Sequence, residues 1–276
     1  MRREVVGIGE RAGARTLAVA FYDYHRRTGW SYHGDRWFHA ASTIKVPVLL
    51  GVFHAVDRGV LHPYSRVHVR NRFLSAADNS PFRIDLSRDS SPEVHQAIGR
   101  TMQVRELARH MIATSSNLAT NLLVDIIGIE EIQQTLRDLG IDGIDFRRGV
   151  EDMTAWAEGI NNRVTAHGLL AALRIIAEEK HFSPESCRGM LEILHAQEFK
   201  RGIPAGLPEH ARVAHKTGEI STVAHDAGIV FLPDREPYVV AILTEWDAET
   251  TGRHATIARI SRAVYGHVTE DDDADN

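Results

Sequence analysis

The hydrophobic period changes twice along this chain, and that limits the folds open to it more than any other feature. Residues 16–22 (TLAVAFY) are a short apolar run rich in β-formers, Thr28-Gly29 reads as a turn into 30–33, and a second aromatic-rich stretch covers 36–39. Two or three antiparallel strands are expected there. From Ser42 to Arg58 the spacing becomes helical: Ile44, Val48, Val52, Ala55 and Val56 share a stripe, and Gly59 stops it. Similar stripes run over 104–113, 118–127, 130–139 and 166–180. Ser183-Pro184-Glu185 then places a cap, a first-turn proline and an acid ahead of a helix at 187–199. Past residue 210 the period returns to two. Residues 212–216, 223–232 and 238–244 read as a meander, closed by an amphipathic helix from about 250 to 265.

Strands at both ends around a helical middle predict an α/β fold with one antiparallel sheet assembled from the two termini. The expected division is a single domain with an α/β lobe from residues 1–41 and 210–268, a helical lobe over 42–209, and an acidic tail at 269–276. A cleft between lobes is the natural home for a site. Residues 71–100 are polar and irregular, with Asp78-Asn79-Ser80-Pro81 and Asp89-Ser90-Ser91-Pro92 as turn signals. A loop that long is usually mobile or part of a site entrance.

Three short segments fall where these elements meet: Ser42-Thr43-Ile44-Lys45, Ser115-Ser116-Asn117 and Lys216-Thr217-Gly218. Lysine usage sharpens them. The chain has four lysines (45, 180, 200 and 216) against 28 arginines, and two of the four lie inside these segments. Arginine stays protonated at any accessible pH, whereas a desolvated lysine can lose its proton and act as a base. From composition, the three patterns together are expected by accident on the order of once per thousand such chains.

The segments carry the equipment for acyl transfer through a serine ester. Ser42 opens a helix, where unpaired N–H groups and the helix dipole favour a developing anion. Lys45, three residues on, shares its helix face and can reach the hydroxyl directly, and Lys216 is a candidate for the neighbouring charge that would neutralise it. Lys216-Thr217-Gly218 is placed at the end of a strand whose edge an extended substrate can pair with, Gly218 removing a side chain that would block approach. The N–H of Glu219 is expected to form an oxyanion hole with that of Ser42. Lys216 and Thr217 would hold a substrate carboxylate, Ser115 would carry a proton to the leaving nitrogen, and Asn117 would hold the acyl amide.

With these residues in place, the chain resembles the class A β-lactamase-like serine hydrolases, relatives of penicillin-binding D,D-peptidases. That family pairs S-x-x-K with S-D-N (S-x-N more widely) and K-T-G in this order. The resemblance covers about residues 15–265, including "FHAASTIKVPVLL", "MIATSSNLATNLLVD" and "AHKTG". It implies one catalytic domain with a five-stranded antiparallel sheet flanked by helices beside an all-helical lobe. The substrate it implies is a small-molecule β-lactam, or another acyl amide or ester.

Two departures stand out. Ser116 occupies the place where β-lactamases usually have aspartate. Those enzymes also deacylate through a loop glutamate that activates water; Glu151 lies 36 residues beyond Ser115, about where it belongs, without the usual tryptophan-proline surroundings and with Ala155 near the place of the usual asparagine. Glu151 reads either as that base or as a surface carboxylate or loop-locking partner of an arginine, with Glu158 a weaker candidate on spacing. Hydrolysis of the β-lactam amide is therefore set beside a D,D-peptidase or esterase-type hydrolase merely inhibited by β-lactams, and a sensor that is acylated without turnover.

Composition excludes other classes. With 43% hydrophobic and 25% charged residues and a formal charge of -5, nothing suggests a nucleic-acid partner. The single cysteine, Cys187, cannot form an internal disulfide. Sixteen histidines are scattered without H-E-x-x-H, so neither a metal nor another cofactor is expected. No apolar run approaches signal-peptide or membrane-span length. The sequence as it stands reads as cytoplasmic, and a processed form of a periplasmic or secreted protein would read the same.

Overall fold

Residues 17–21 are buried without a break because both faces of their strand are covered. In the computed structural model, which describes residues 1–270, β1 (Thr16–Asp23) sends Ala18 and Ala20 to one side of a sheet and Leu17, Val19 and Phe21 to the other. Side chains alternate along a strand, so one apolar run serves two cores. Most of the expected acidic tail, residues 271–276, lies outside the described residues.

The sheet has five antiparallel strands. With β2 (Thr28–Tyr32), β3 (Arg212–Ile220), β4 (Val223–Phe231) and β5 (Tyr238–Glu245), the order is β3-β4-β5-β1-β2. The two termini meet at the β1–β5 ladder, where Leu17 faces Thr244 and Phe21 faces Val240. Residues 36–39 behave differently from expectation. Only Phe38–His39 is extended, and it leaves the main sheet to pair with Arg163–Val164, which also pairs with Ile144–Asp145.

One face of the sheet is covered by α1 (Arg2–Ala12) and by the closing helix, through Val5, Ile8, Ile257, Ile260 and Val264. The helix at the N-terminus has no counterpart in the sequence reading: only Val5, Ile8 and Gly9 are buried among polar neighbours, too few for a clear stripe. The other helices of ten residues or more are α2 (Lys45–Asp57), α3 (Val104–Ala113), α4 (Asn117–Ile127), α5 (Ile129–Asp138), α6 (Ala166–Glu178), α7 (Pro184–His195) and α8 (Arg253–Thr269); Pro92–Gln96 and Met153–Ala157 are single short turns of helix. The larger core joins α2 to α7 to the opposite face of the sheet, with Leu49, Met111, Leu122, Leu169 and Leu194 packed with Ala20, Ala227 and Ala241. Caps set the helix starts: Ser183 accepts from the N–H of Ser186, Thr165 from Gly168, and Gln103 closes a capping box with Glu106. Among the described residues no helix is long and apolar enough to cross a membrane.

Candidate active site

Ser42 lies in a single 3-10 turn, Ala41–Ile44, that feeds directly into α2. The turn is held from several sides. Ala40 N–H donates to the Asn162 carbonyl at 3.0 Å, Ala41 N–H donates to His39 Nδ1 at 3.1 Å, and buried His225 donates through Nε2 to the His39 carbonyl at 2.9 Å. Ala41 adopts φ 46°, a left-handed conformation that needs such support outside glycine. The strand β3 crosses immediately behind. A Cβ on Gly218 would stand 2.9 Å from Thr43 N and 3.1 Å from Ser42 N. The glycine is therefore required by the chain's own turn, because its missing side chain makes room for the backbone at Ser42 and Thr43. Lys216-Thr217-Gly218 is also not at a strand end, because β3 runs on to Ile220 with Gly218 opposite His225.

Lys45 and Lys216 are fully buried and meet at one hydroxyl. Lys45 Nζ donates to Ser115 Oγ at 3.1 Å and Lys216 Nζ donates to it at 3.0 Å. Lys45 also donates to the Ser115 carbonyl (2.7 Å) and to Asn117 Oδ1 (2.8 Å), and Lys216 to the Thr217 carbonyl (2.9 Å). Direct contact between Lys45 and Ser42, expected from their spacing, is not formed; the amine is turned to Ser115 and Asn117. Burial pulls the Lys45 amine down to about 7, against the opposing pull of the Asp89 and Glu151 charges. Lys216 is held well below the ordinary lysine range, by burial first and by the charge on Lys45 second. Two amines sharing one hydroxyl away from water cannot both hold a proton comfortably.

Ser115 sits at φ 60° between α3 and α4, with Ser116 capping α4. Asn117 has both ends of its amide committed within the protein, Oδ1 to Lys45 and Nδ2 to the Arg88 carbonyl at 2.7 Å. It also lines the cleft, beside the two amines. Glu151, also left-handed at φ 59°, faces the same cleft and accepts from Arg88 Nε. The next residue, Asp152, is buried and caps the short helix Met153–Ala157 while accepting from Ser75 Oγ and the N–H of Ala76, both at 2.8 Å. Glu158 does not line the cleft. The Glu219 carboxylate points to the start of α8, where His254 (2.8 Å) and Arg253 (2.9 Å) hold it and depress its affinity for a proton.

The cleft has a volume of about 730 Å³ and is lined by Ser42, Ser115, Asn117, Glu151, Thr217 and Glu219 from the sequence-selected set. Lys45, Lys216 and Gly218 support it from behind. Sequence reasoning missed Arg88, Arg148, Met153, Trp156, Phe199 and Arg201, which also line it. For Arg88 the signal was partial: it precedes the Asp89-Ser90-Ser91-Pro92 turn in the segment marked as a possible site entrance.

A model of the β-lactamase enzyme family matches residues 2–268. The chain belongs to that family. A β-lactamase of Bacteroides uniformis is 27% identical over 246 residues, 85% of this chain and 80% of that protein. Among solved structures, a β-lactamase from Sphaerobacter thermophilus is 28% identical and superposes with a TM-score of 0.82 over 98% of each chain. A mutant of PBP-A, solved as its acyl-enzyme complex with penicillin G, is 27% identical with a TM-score of 0.82 over 98% of this chain and 96% of that one. The five-stranded sheet with its helical partner is thus the class A β-lactamase fold.

Proposed function

We propose that this enzyme hydrolyses the amide bond of β-lactams through a serine ester on Ser42. The observation that carries the reading is the Ser115 hydroxyl held between two buried amines beside the Ser42 turn. A hydroxyl with one hydrogen and two lone pairs can accept from one amine and donate to the other, so it can relay a proton. Lys45, whose proton affinity is lowered to about 7 so that its neutral form is well populated near neutral pH, takes the proton of the Ser42 hydroxyl as Oγ bonds to the lactam carbonyl carbon. The N–H groups of Ser42 and Glu219 receive the oxyanion. The C–N bond then breaks, and the proton passes through Ser115 to the leaving nitrogen. In the second half, Glu151 takes a proton from water as the water oxygen attacks the ester carbonyl; the bond to Ser42 Oγ then breaks, and the proton held by Glu151 is returned to Oγ, which restores both groups.

Charge and surface fit such a substrate. Thr217 on the cleft wall, with Lys216 behind it, suits a carboxylate, and Arg88, Arg148 and Arg201 add positive charge around the cleft. Met153, Trp156, Phe199 and Ile220 are exposed and line the same cleft, so an acyl side chain with an aromatic group would bury against them. Mass spectrometry after brief exposure to penicillin G tests the reading. One ligand mass should appear on the peptide holding Ser42 and then decay. An adduct elsewhere, or the same adduct on Ser42→Ala, refutes the nucleophile assignment, and an adduct that never decays replaces hydrolysis with trapping.

A further inference from the structure

Ser116, where an aspartate is usual in the related enzymes, leaves its neighbourhood short of a carboxylate. Its hydroxyl accepts from the N–H of Ala119 at 3.1 Å, which meets one of the four unpaired N–H groups at the start of α4. A different residue meets the next one. Asp89 Oδ2 accepts from the N–H of Leu118 at 2.8 Å, and also from Ser116 Oγ at 3.2 Å. The carboxylate is completely buried, with His95 Nε2 at 3.1 Å from Oδ2 and the N–H of Ser91 donating to Oδ1 at 3.1 Å.

The preceding residue completes a clamp. The Arg88 carbonyl accepts from Asn117 Nδ2 at 2.7 Å, and the Asn117 Oδ1 in turn accepts from Lys45. Two consecutive residues of the 71–100 segment therefore hold the three residues that follow Ser115. Ser115 itself sits at φ 60°, a conformation serine keeps only when its surroundings enforce it. If residues 116–118 were released, Ser115 would relax toward ordinary dihedrals and its hydroxyl would leave the two amines.

We infer that Asp89 is a positioning residue that supplies, from a distant part of the chain, the carboxylate absent at position 116, and so fixes the Ser115 hydroxyl between Lys45 and Lys216. It touches no reacting atom and acts through Ser116, Leu118 and the adjoining Arg88 carbonyl. This rests on the acyl-transfer reading above. It also gives the polar 71–100 segment a task, as a clamp on the second motif. The charge has its own effect. Asp89 and Glu151 favour the protonated Lys45 against its burial, Lys216 shares the Ser115 hydroxyl with it, and His95 faces Asp89 itself. Loss of the Asp89 charge therefore shifts the Lys45 titration to lower pH, which loss of packing alone would not do.

Three full-length variants test this: Asp89→Asn, Ser116→Asp, and the two combined. Stopped-flow acylation by penicillin G is followed across pH, with the Lys45 titration read separately by NMR of protein labelled at the lysine ε-carbons, of which there are four. Asp89→Asn should lower the plateau acylation rate by about tenfold or more, on the scale of a misplaced catalytic group, and move both the acid limb and the Lys45 midpoint to lower pH. The double variant should recover the plateau to within about threefold of the parent, as expected for a replaced positioning contact. Ser116→Asp alone should raise the Lys45 midpoint by adding a second charge. An unchanged plateau in Asp89→Asn, or a loss that the double variant does not restore, overturns the inference. If Asp89→Asn does not fold, the double variant decides: folded and active, it supports the inference; unfolded or slow, it overturns it. If the parent itself is not acylated, the proposed function fails, while the NMR midpoints still report on Asp89.

Discussion

Gly218→Ala tests how tightly strand β3 and the Ser42 turn are built against each other. The added methyl would lie 2.9 Å from Thr43 N, 3.0 Å from Thr43 Cγ2 and 3.1 Å from Ser42 N, and two of these three are backbone atoms of the turn. Relief to ordinary contact needs a displacement of about half an ångström, and overpacking of this kind costs about 1–3 kcal/mol. The displaced atoms include the N–H expected to receive the oxyanion. A full ångström of misplacement costs about 10²-fold in rate, so acylation by penicillin G should slow by roughly 10- to 10²-fold. Gly189→Ala in α7 is the matched control, since its Cβ would stand 2.9 Å from Phe53 Cε1, a side-chain neighbour that does not line the cleft. Stopped-flow acylation and thermal unfolding are measured on both. Gly189→Ala should lose less stability, since its clash is with ring atoms and alanine favours the helix by about 1 kcal/mol over glycine, and only Gly218→Ala should lose rate. A Gly218→Ala protein that acylates within twofold of the parent, or a Gly189→Ala protein slowed to the same extent, would refute the geometric argument.

Lys45→Arg keeps a cation but cannot supply a neutral base, so acylation should slow by about 10²-fold or more, and stopped-flow rates within a few-fold of the parent would assign Lys45 a purely electrostatic task. In the unsubstituted enzyme the acylation rate should fall as pH drops below about 7, because burial places the Lys45 titration there; a flat acid limb would exclude it as the base. Glu151→Gln should acylate normally and then stall, with the adduct persisting by mass spectrometry, whereas unchanged turnover would make the Arg88–Glu151 contact purely structural. His225 is held down at about 4 by complete burial, accepting from the N–H of Thr244 at 3.1 Å and donating to His39. A depressed histidine takes up its proton in the unfolded chain first, so its contribution is complete above pH 6.5 and is lost as pH falls toward 4, in all about 3 kcal/mol. Histidine NMR should show a neutral His225 ring through that window, and a midpoint near 6 would sink the account.

The middle helices and the three motifs were legible in sequence because each depends on neighbours a few residues away. The expected helix at 104–113 coincides with Val104–Ala113, and the Ser183 cap with its following proline begins α7. Serine and lysine three apart at a helix start, or lysine followed by threonine and glycine, are visible without knowing what lies opposite. The candidate chemistry is local in the same sense, since two of the four lysines in an arginine-rich chain stand inside these motifs.

Tertiary structure decided whatever depends on partners distant in the chain. Whether Lys45 would lean on Ser42 or on Ser115 and Asn117 is settled across a separation of 70 residues, by the fold of α3 and α4 against α2. The strand β3 continues through polar Lys216, Thr217 and Glu219 because β4 supplies its ladder, which no alternation in the segment announces. Phe38–His39 leaves the sheet for Arg163, and α1 forms because α8 and the sheet cover its few apolar residues. Asp89 reads locally as a turn residue, yet it is buried against Ser116 and Leu118. Local pattern determines which elements form and which groups can react. The lowered proton affinities of Lys45 and Lys216, and the left-handed serine between them, arise only when distant segments exclude water from one another.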